Sequence, residues 1–326
     1  MALNVNTQTV STKSIQNASQ KAKSGFLASC RRDFARNKLI YLMVLPVLLH
    51  YIVFQYFPMY GAQIAFRDFN ALDGITGSPW VGLKHFTDFF GSFYFERLLK
   101  NTILLSVYGL IFTFPAPIIL AVLLNEVRSS IFKRTVQTIT YIPHFISIVV
   151  ICGMIIDFVK QDGVITQLLT YIGFENTNLL LKPGNFRPIY IISDIWQQIG
   201  WNSIIYLAAL TSVDQQMYEA ARIDGAGKLR QIWSITLPSI LPTIIIMLIL
   251  KVGSLMNVGF EKVMLLYNAS IYETADVIST FVYRRGILEA AYSYSAAVGL
   301  FNSVINCALV IITNQFSKKL TETSLW

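Results

Sequence analysis

Charge is what this 326-residue chain has little of. Asp, Glu, Lys and Arg together make up 13% of it, about half of the ~25% usual in a soluble domain. That shortage excludes a solvated, disordered chain and points to lipid as the solvent, in line with 54% hydrophobic residues and a mean hydropathy of +0.53. Cysteine is scarce too. Cys30, Cys152 and Cys307 form no pattern, and two of them lie in apolar runs, so neither a disulfide framework nor a metal site follows. The three histidines, His50, His85 and His144, are far apart and read as packed or interfacial side chains rather than ligands. No nucleophile–base constellation and no HExxH is present. Gly225-Ala226-Gly227-Lys228 imitates a phosphate-binding loop, but it lacks the G-x-x-x-x-G-K-[ST] spacing and follows a short helix instead of a strand. The chain is therefore expected to be no enzyme, to bind no cofactor or metal, and to contain no ATPase site of its own. The formal net charge of +8 does not suggest nucleic acid in so apolar a protein.

What is present is a series of apolar runs, each able to supply the roughly twenty residues that cross a bilayer. They lie near 39–57, 103–124, 139–158, 189–210, 238–260 and 294–316. Pro115 and Pro117 predict a kink in the second, and Pro143 sits near the start of the third. Asp194 interrupts the fourth and Lys251 the fifth. Residues 1–38 read as a flexible tail, retained because the first apolar run is long enough to span and starts too late for a signal peptide. Lys and Arg are densest in this tail, in the links after the second and fourth runs, and after the last run. This asymmetry places both termini in the cytoplasm. The expected fold is an all-α integral membrane protein of six transmembrane helices (39–316), with a flexible tail at each end (1–38 and 317–326).

The link at 211–238 is a polar island between the fourth and fifth spans. Asp214 is a plausible N-cap, 215–222 a short helix and Gly225 its stop; a second short helix runs from Lys228 to about Thr236, and Pro238 opens the next span. Glu219 and Arg222 share a face. Ala220 and Ala221 would let another backbone approach closely, and Gly225 permits the turn that sets one helix across the other. A plain amphipathic loop between two spans is the blander reading.

The run EAARIDGAGKLRQIWSITLP (219–238) resembles the cytoplasmic coupling motif of membrane subunits in binding-protein-dependent ATP-binding-cassette importers. The resemblance to carbohydrate-importer permeases extends over most of the chain from Leu39 onward: WVGLKHF (80–86), YIPHFIS (141–147) and QDGVITQLL (161–169) occur in the expected order. Trp233 departs from the Phe often found there, keeping an aromatic anchor. The resemblance implies cytoplasmic coupling helices between spans four and five, with Glu219, Ala220, Ala221, Arg222, Asp224, Gly225 and Ala226 contacting an ATPase. It further implies a second permease chain, two ATPase subunits that use ATP and Mg, an extracytoplasmic solute-binding protein, and a prokaryotic cytoplasmic (inner) membrane. The long fifth-to-sixth link and the SKKLTETSLW tail look similar to a subgroup handling larger oligosaccharides, including acidic ones of alginate or pectin type.

Polar groups inside spans are costly and tend to be functional. Trp196, Gln197, Trp201 and Asn202 in span four, with Lys251, Asn257 and Glu261 in or ending span five, are therefore candidates for the substrate path. Lys251, Arg284 and Arg285 would favour an acidic saccharide. Helix–helix bonding, anchoring at the lipid interface and, for Lys251, snorkelling are the plainer readings. Asp157 and Asp194 read as solvated span ends. Residues 261–293 either dip toward the path or dock a partner, or else form a lid packed on the span ends. The competing class, an ion-gradient-driven secondary transporter, would need midplane ion ligands and repeated halves with broken helices; neither is evident.

Overall fold

The computed structural model describes residues 33, 34 and 36 to 321. The expected tail at 1–38 falls largely outside the described residues; of that at 317–326, residues 317–321 are described and continue the last helix. Among the described residues the chain is helical, with one isolated antiparallel bridge between Arg67 and Trp80. It divides into two units, the first ending at Ala62 and the second starting at Gln63.

The first unit is built on α1 (Lys38–Tyr51), which continues through a π-turn at Ile52–Tyr56. It is apolar on every side and buries none of its own side chains, the composition of a helix that faces lipid or other helices all round. The longer helices of the second unit begin with α2 (Phe93–Tyr108) and α3 (Pro115–Glu126), which form one continuous rod, then α4 (Ser130–Tyr141), α5 (Ile148–Val159) and α6 (Val164–Tyr171). The 29-residue α7 (Pro183–Thr211) follows, then α8 (Gln215–Ile223), α9 (Lys228–Gln231) and α10 (Leu237–Gly253). The short α11 (Phe260–Leu266) and α12 (Ile278–Tyr283) precede α13 (Tyr292–Thr321).

Among the described residues four helices are long and apolar enough to cross a membrane: Lys38–Phe66, Phe93–Glu126, Lys228–Gly253 and Tyr292–Lys319. A fifth arises if the pair Ser130–Phe145 and Ile148–Tyr171, bent by 101°, counts as one span. The expected third span at 139–158 is thus not one straight helix. Pro143 sits in a 3-10 turn at Ile142–Phe145, and Ile146 then takes up an extended conformation (φ −79°, ψ 137°), so the apolar run straddles a break. α7 is long enough to cross, but its polar residues keep it out of the apolar group.

The predicted proline kink takes a specific form. Proline has no N–H and its ring crowds the carbonyl four residues earlier. In three places the residue before a proline reaches one position further back: Phe57 N–H donates to Ile52 O, Phe114 N–H to Gly109 O, and Leu237 N–H to Ile232 O. Each wide turn precedes Pro58, Pro115 or Pro238 and lets the helix continue past it. The expected boundary at Pro238 is accordingly absent, and Lys228–Gly253 is one helix.

Packing in the second unit centres on α7. Its first half joins a core with α5 and the 258–277 link, through Ile151, Ile155, Phe186, Tyr190, Val263, Ile271 and Val277. Its second half joins Ala121, Tyr206, Leu210, Tyr218, Ile235 and Ile240. The long link before α13 is therefore a packed lid: Val263, Ile271, Ala275 and Val277 are fully buried. Asp276, also fully buried, accepts a bidentate bond from Arg284 (2.6 and 3.2 Å) and faces Arg97 at 3.6 Å. Asn101 Nδ2 donates to the carbonyls of Glu273 (2.9 Å) and Asp276 (3.0 Å), and Arg187 donates to Asn101 Oδ1 (2.8 Å). This network ties α2, α7 and the lid together. The FRDFN and WVGLKHF phrases are likewise ordered: Arg67 donates to the carbonyls of Thr76 and Ser78, Trp80 stacks on Phe66, and buried His85 bonds Arg67 O.

α4 crosses α7 at Gly200, where a Cβ would lie 2.1 Å from the Thr140 carbonyl oxygen. Small residues at such crossings let helix backbones touch. Gly200→Val is expected to destabilise the protein by about 1–3 kcal/mol or to prevent its accumulation; a thermal melt in mild detergent beside Gly299→Ala, which meets open space, checks this.

Candidate functional site

The polar island forms a compact platform. Asp214 caps α8 by accepting from Gln216 N–H at 2.9 Å. The helix ends at Ile223, one residue beyond expectation, in a glycine-dependent stop: Gly225 has φ +76°, Gly225 N–H donates to Arg222 O, and Ala226 N–H donates to Ala221 O. Gln231 Nε2 then donates to Ala226 O at 2.7 Å, holding the turn against α9. Tyr218, the one buried residue of α8, pairs its hydroxyl with Thr236 Oγ1 at 3.0 Å inside the π-turn before Pro238. Lys228 pairs with Glu126 at the end of α3. Through these contacts α8 is rigidly joined to both α7 and α10.

Among the described residues nothing covers the outward face of this platform. Glu219, Ala220, Arg222 and Asp224 are exposed, and no ion pair joins Glu219 to Arg222 among the described residues. Ile223, Leu229 and Trp233 are 87%, 75% and 72% exposed, an apolar surface flanking two opposite charges. The two alanines divide the work. Ala220 faces outward, whereas Ala221 packs toward the Tyr206–Tyr218 cluster, so only the first is free for another backbone. Ala226 is half-buried in the turn.

The candidate path residues separate in the structure. At about 3.6 residues per turn, Asp194, Gln197, Gln198 and Trp201 form one stripe of α7, and Trp196 lies on the opposite side. Trp196 lines a nearly apolar cavity of about 550 Å³ between α5, α6 and α7, with Met154, Phe158 and Ile192. Gln197 is buried and Asn202 exposed. Trp201, 41% exposed, stacks on His144 (centroids 4.5 Å apart, 3° between planes), with Phe145 edge-on. His144 Nδ1 and Gln198 Oε1 are 2.9 Å apart.

The other candidates lie along the link to α13. Asn257 Oδ1 accepts from Asn302 Nδ2 (2.9 Å) and Asn306 Nδ2 (3.2 Å), bonding the end of the fifth run to α13. Lys251 and Glu261 are exposed and have no ion-pair partner among the described residues. Arg285 donates to Glu289 (2.5 Å). Arg284 is held by Asp276; burial works against its guanidinium, and the bonds and charge of Asp276 outweigh it, keeping its pKa above the usual value. Neither arginine is a free cation.

Reading by sequence missed His144, Gln198 and Lys262. His144 lies in the YIPHFIS phrase beside Pro143, and that proline was the available signal of a backbone break. Asp194 is not a solvated span end: it is half-buried and faces the buried ammonium of Lys262 at 3.6 Å. Asp157 is solvated and pairs with Lys160 at 3.0 Å.

Comparison with known proteins gives this geometry a context. Residues 113–322 match the model of the family described as binding-protein-dependent transport system inner membrane component. The polygalacturonan/rhamnogalacturonan transport system permease protein YteP of Bacillus subtilis (strain 168) is 47% identical over 89% of this chain and 91% of its own. Protein LplB of the same organism is 46% identical over 92% and 94%. In a crystal structure of a bacterial ABC transporter involved in the import of the acidic polysaccharide alginate, one chain superposes with a TM-score of 0.83 at 43% identity, covering 90% of this chain and 99% of that one. A chain of the alginate transporter in complex with an alginate pentasaccharide-bound periplasmic protein does so at 0.83 and 42%. This chain, helical over its described residues, with lipid-compatible spans and a rigid, outward-facing platform at Glu219–Ala226, thus belongs to the family of binding-protein-dependent transport system inner membrane components.

Proposed function

We infer that this chain is one of two permease subunits of an ATP-driven importer for an oligosaccharide, an acidic one of pectin or alginate type, delivered by an extracytoplasmic solute-binding protein. The observation that carries the reading is the α8 platform: exposed on its outer face, yet fixed to α7 and α10 by Tyr218, Ala221 and Gln231. A push on a surface so mounted is transmitted to the spans as rigid-body motion. The names of the relatives, with a polygalacturonan/rhamnogalacturonan permease and an alginate importer among them, favour an acidic saccharide. They offer nothing for an ion-gradient-driven transporter.

Six spans with both termini in the cytoplasm fit the pairing of the links. The segments expected outside, around Arg97, Arg187 and Asp276, meet in one network, and those expected inside meet through Glu126 and Lys228. On this reading the two ATPase subunits, which bind ATP and Mg, close on ATP binding and carry the α8 platforms of both permeases with them. The bundle turns from inward-open to outward-open, the binding protein releases sugar, and hydrolysis resets the cycle. Differential affinity of ATP for the two states supplies the bias. The path would run along the Gln198–Trp201 stripe, where the break at 146–147 and the His144–Trp201 stack present aromatic faces and amide or imidazole hydrogen-bonding groups. Irregular backbone at membrane depth is tolerated where it is buried or lines a cavity. Asn202, Lys251 and Glu261 remain candidates beside it, Trp196 on the opposite face less directly.

Purification of the tagged chain from its native membrane in mild detergent should recover a second permease and a Walker-motif ATPase by mass spectrometry. A chain that stays alone even after cross-linking would sink the importer reading. Glu219→Lys, a change on an exposed position, is expected to leave the melting temperature of the complex unchanged while abolishing ATP-dependent uptake. Normal uptake by that variant would count against the coupling role.

A further inference from the structure

Lys262 is the most deeply buried cation among the described residues of the second unit, at 4% exposure, and its environment does not pair it well. Among the described residues its ammonium has no hydrogen-bond partner, Asp194 stands off at 3.6 Å, and the Tyr190 ring lies 5.2 Å away. A buried ion pair offsets its desolvation only with close geometry and satisfied donors. This one has neither, so it is a poor structural clasp. It is, however, well placed for a ligand. Asp194 begins the polar stripe of α7 that leads through Gln198 to Trp201, and Lys262 projects from α11, which follows the irregular segment 254–259. Asp194 retains 24% side-chain exposure, so the pair is approached from the side of the carboxylate.

We propose that Lys262 is the charge-selecting residue of the path, and that a saccharide carboxylate replaces Asp194 as its partner during translocation. The inference rests on the importer reading above and deepens it. The exchange keeps one carboxylate on the buried ammonium as Asp194, already 24% exposed, turns toward solvent and carries its own charge there, whereas a neutral sugar cannot displace Asp194 without stranding the ammonium. The other cations suit the task less. Arg284 and Arg285 are held by Asp276 and Glu289. Lys251 is exposed, and no ion pair among the described residues orients it.

The test uses the complete importer, with partner permease, ATPases and binding protein, in proteoliposomes, with trigalacturonate as the probe. Lys262→Met and the charge-neutral double variant Asp194→Asn/Lys262→Met should each lose uptake at least about tenfold, while Lys262→Arg keeps most of it and binding-protein-stimulated ATP hydrolysis persists in all three. Uptake restored in the double variant would mark an ordinary structural pair and overturn the proposal, as would wild-type uptake by Lys262→Met. If the wild-type complex imports a neutral oligosaccharide but not trigalacturonate, charge selection falls and the importer reading stands. If it imports no saccharide at all, the importer reading itself falls, and the proposal with it.

Discussion

Lipid offers no hydrogen bonds, and most of what is particular to this structure follows from that. Every backbone group and buried side chain in a span must find its partner within protein. Long apolar helices meet the demand at once. Proline threatens it, and the chain answers three times with a widened turn whose i→i−5 bond precedes Pro58, Pro115 or Pro238. Where the backbone does leave the helix, between Phe145 and Ile148, the neighbouring side chains are His144, Phe145 and Trp201 in mutual contact. The same demand explains why Asn302 and Asn306 of α13 both donate to Asn257 in the irregular segment 254–259, and burial within the lid does the same for Asp276, enclosed by Arg284, Thr280 and Arg97.

The π-turn at Ile232–Thr236 links this constraint to the polar platform. Thr236, in the turn that accommodates Pro238, carries the hydroxyl that meets Tyr218 of the platform. A device that keeps a span continuous past a proline therefore also anchors α8. Because Lys228–Gly253 is one helix instead of two, the exposed Leu229 and Trp233 stand on the same helix as the span. The Glu126–Lys228 pair adds a connection to α3. Rigidity here is a matter of short, specific contacts at one end of the bundle.

How far the sequence could be read depended on the range of the interactions involved. The Asp214 cap, the end of α8 near Gly225 and the exposure of Glu219 were legible because capping, left-handed glycine turns and charge placement are local. The path residues were less so. Asn257 and Arg284 look in sequence like free polar groups near a path, but each is bonded to a residue whose position folding decides, and Arg285 is taken up by Glu289 four positions on. Lys262 gave no sign at all, since its partner Asp194 is 68 positions away and was read as a solvated end.

Composition and pattern alone determined that this is a helical membrane chain and that its polar island is a helix–turn–helix with an outward face. These follow from solvent, periodicity and caps, which act within a few residues of one another. Tertiary structure decided which face of α7 carries the polar stripe, that the third apolar run breaks at 146–147, that the long outer link is a packed lid, and which charges are neutralised. Those outcomes depend on what each side chain meets across the bundle, and close approach of the kind at Gly200 and Thr140 leaves no trace in a linear pattern.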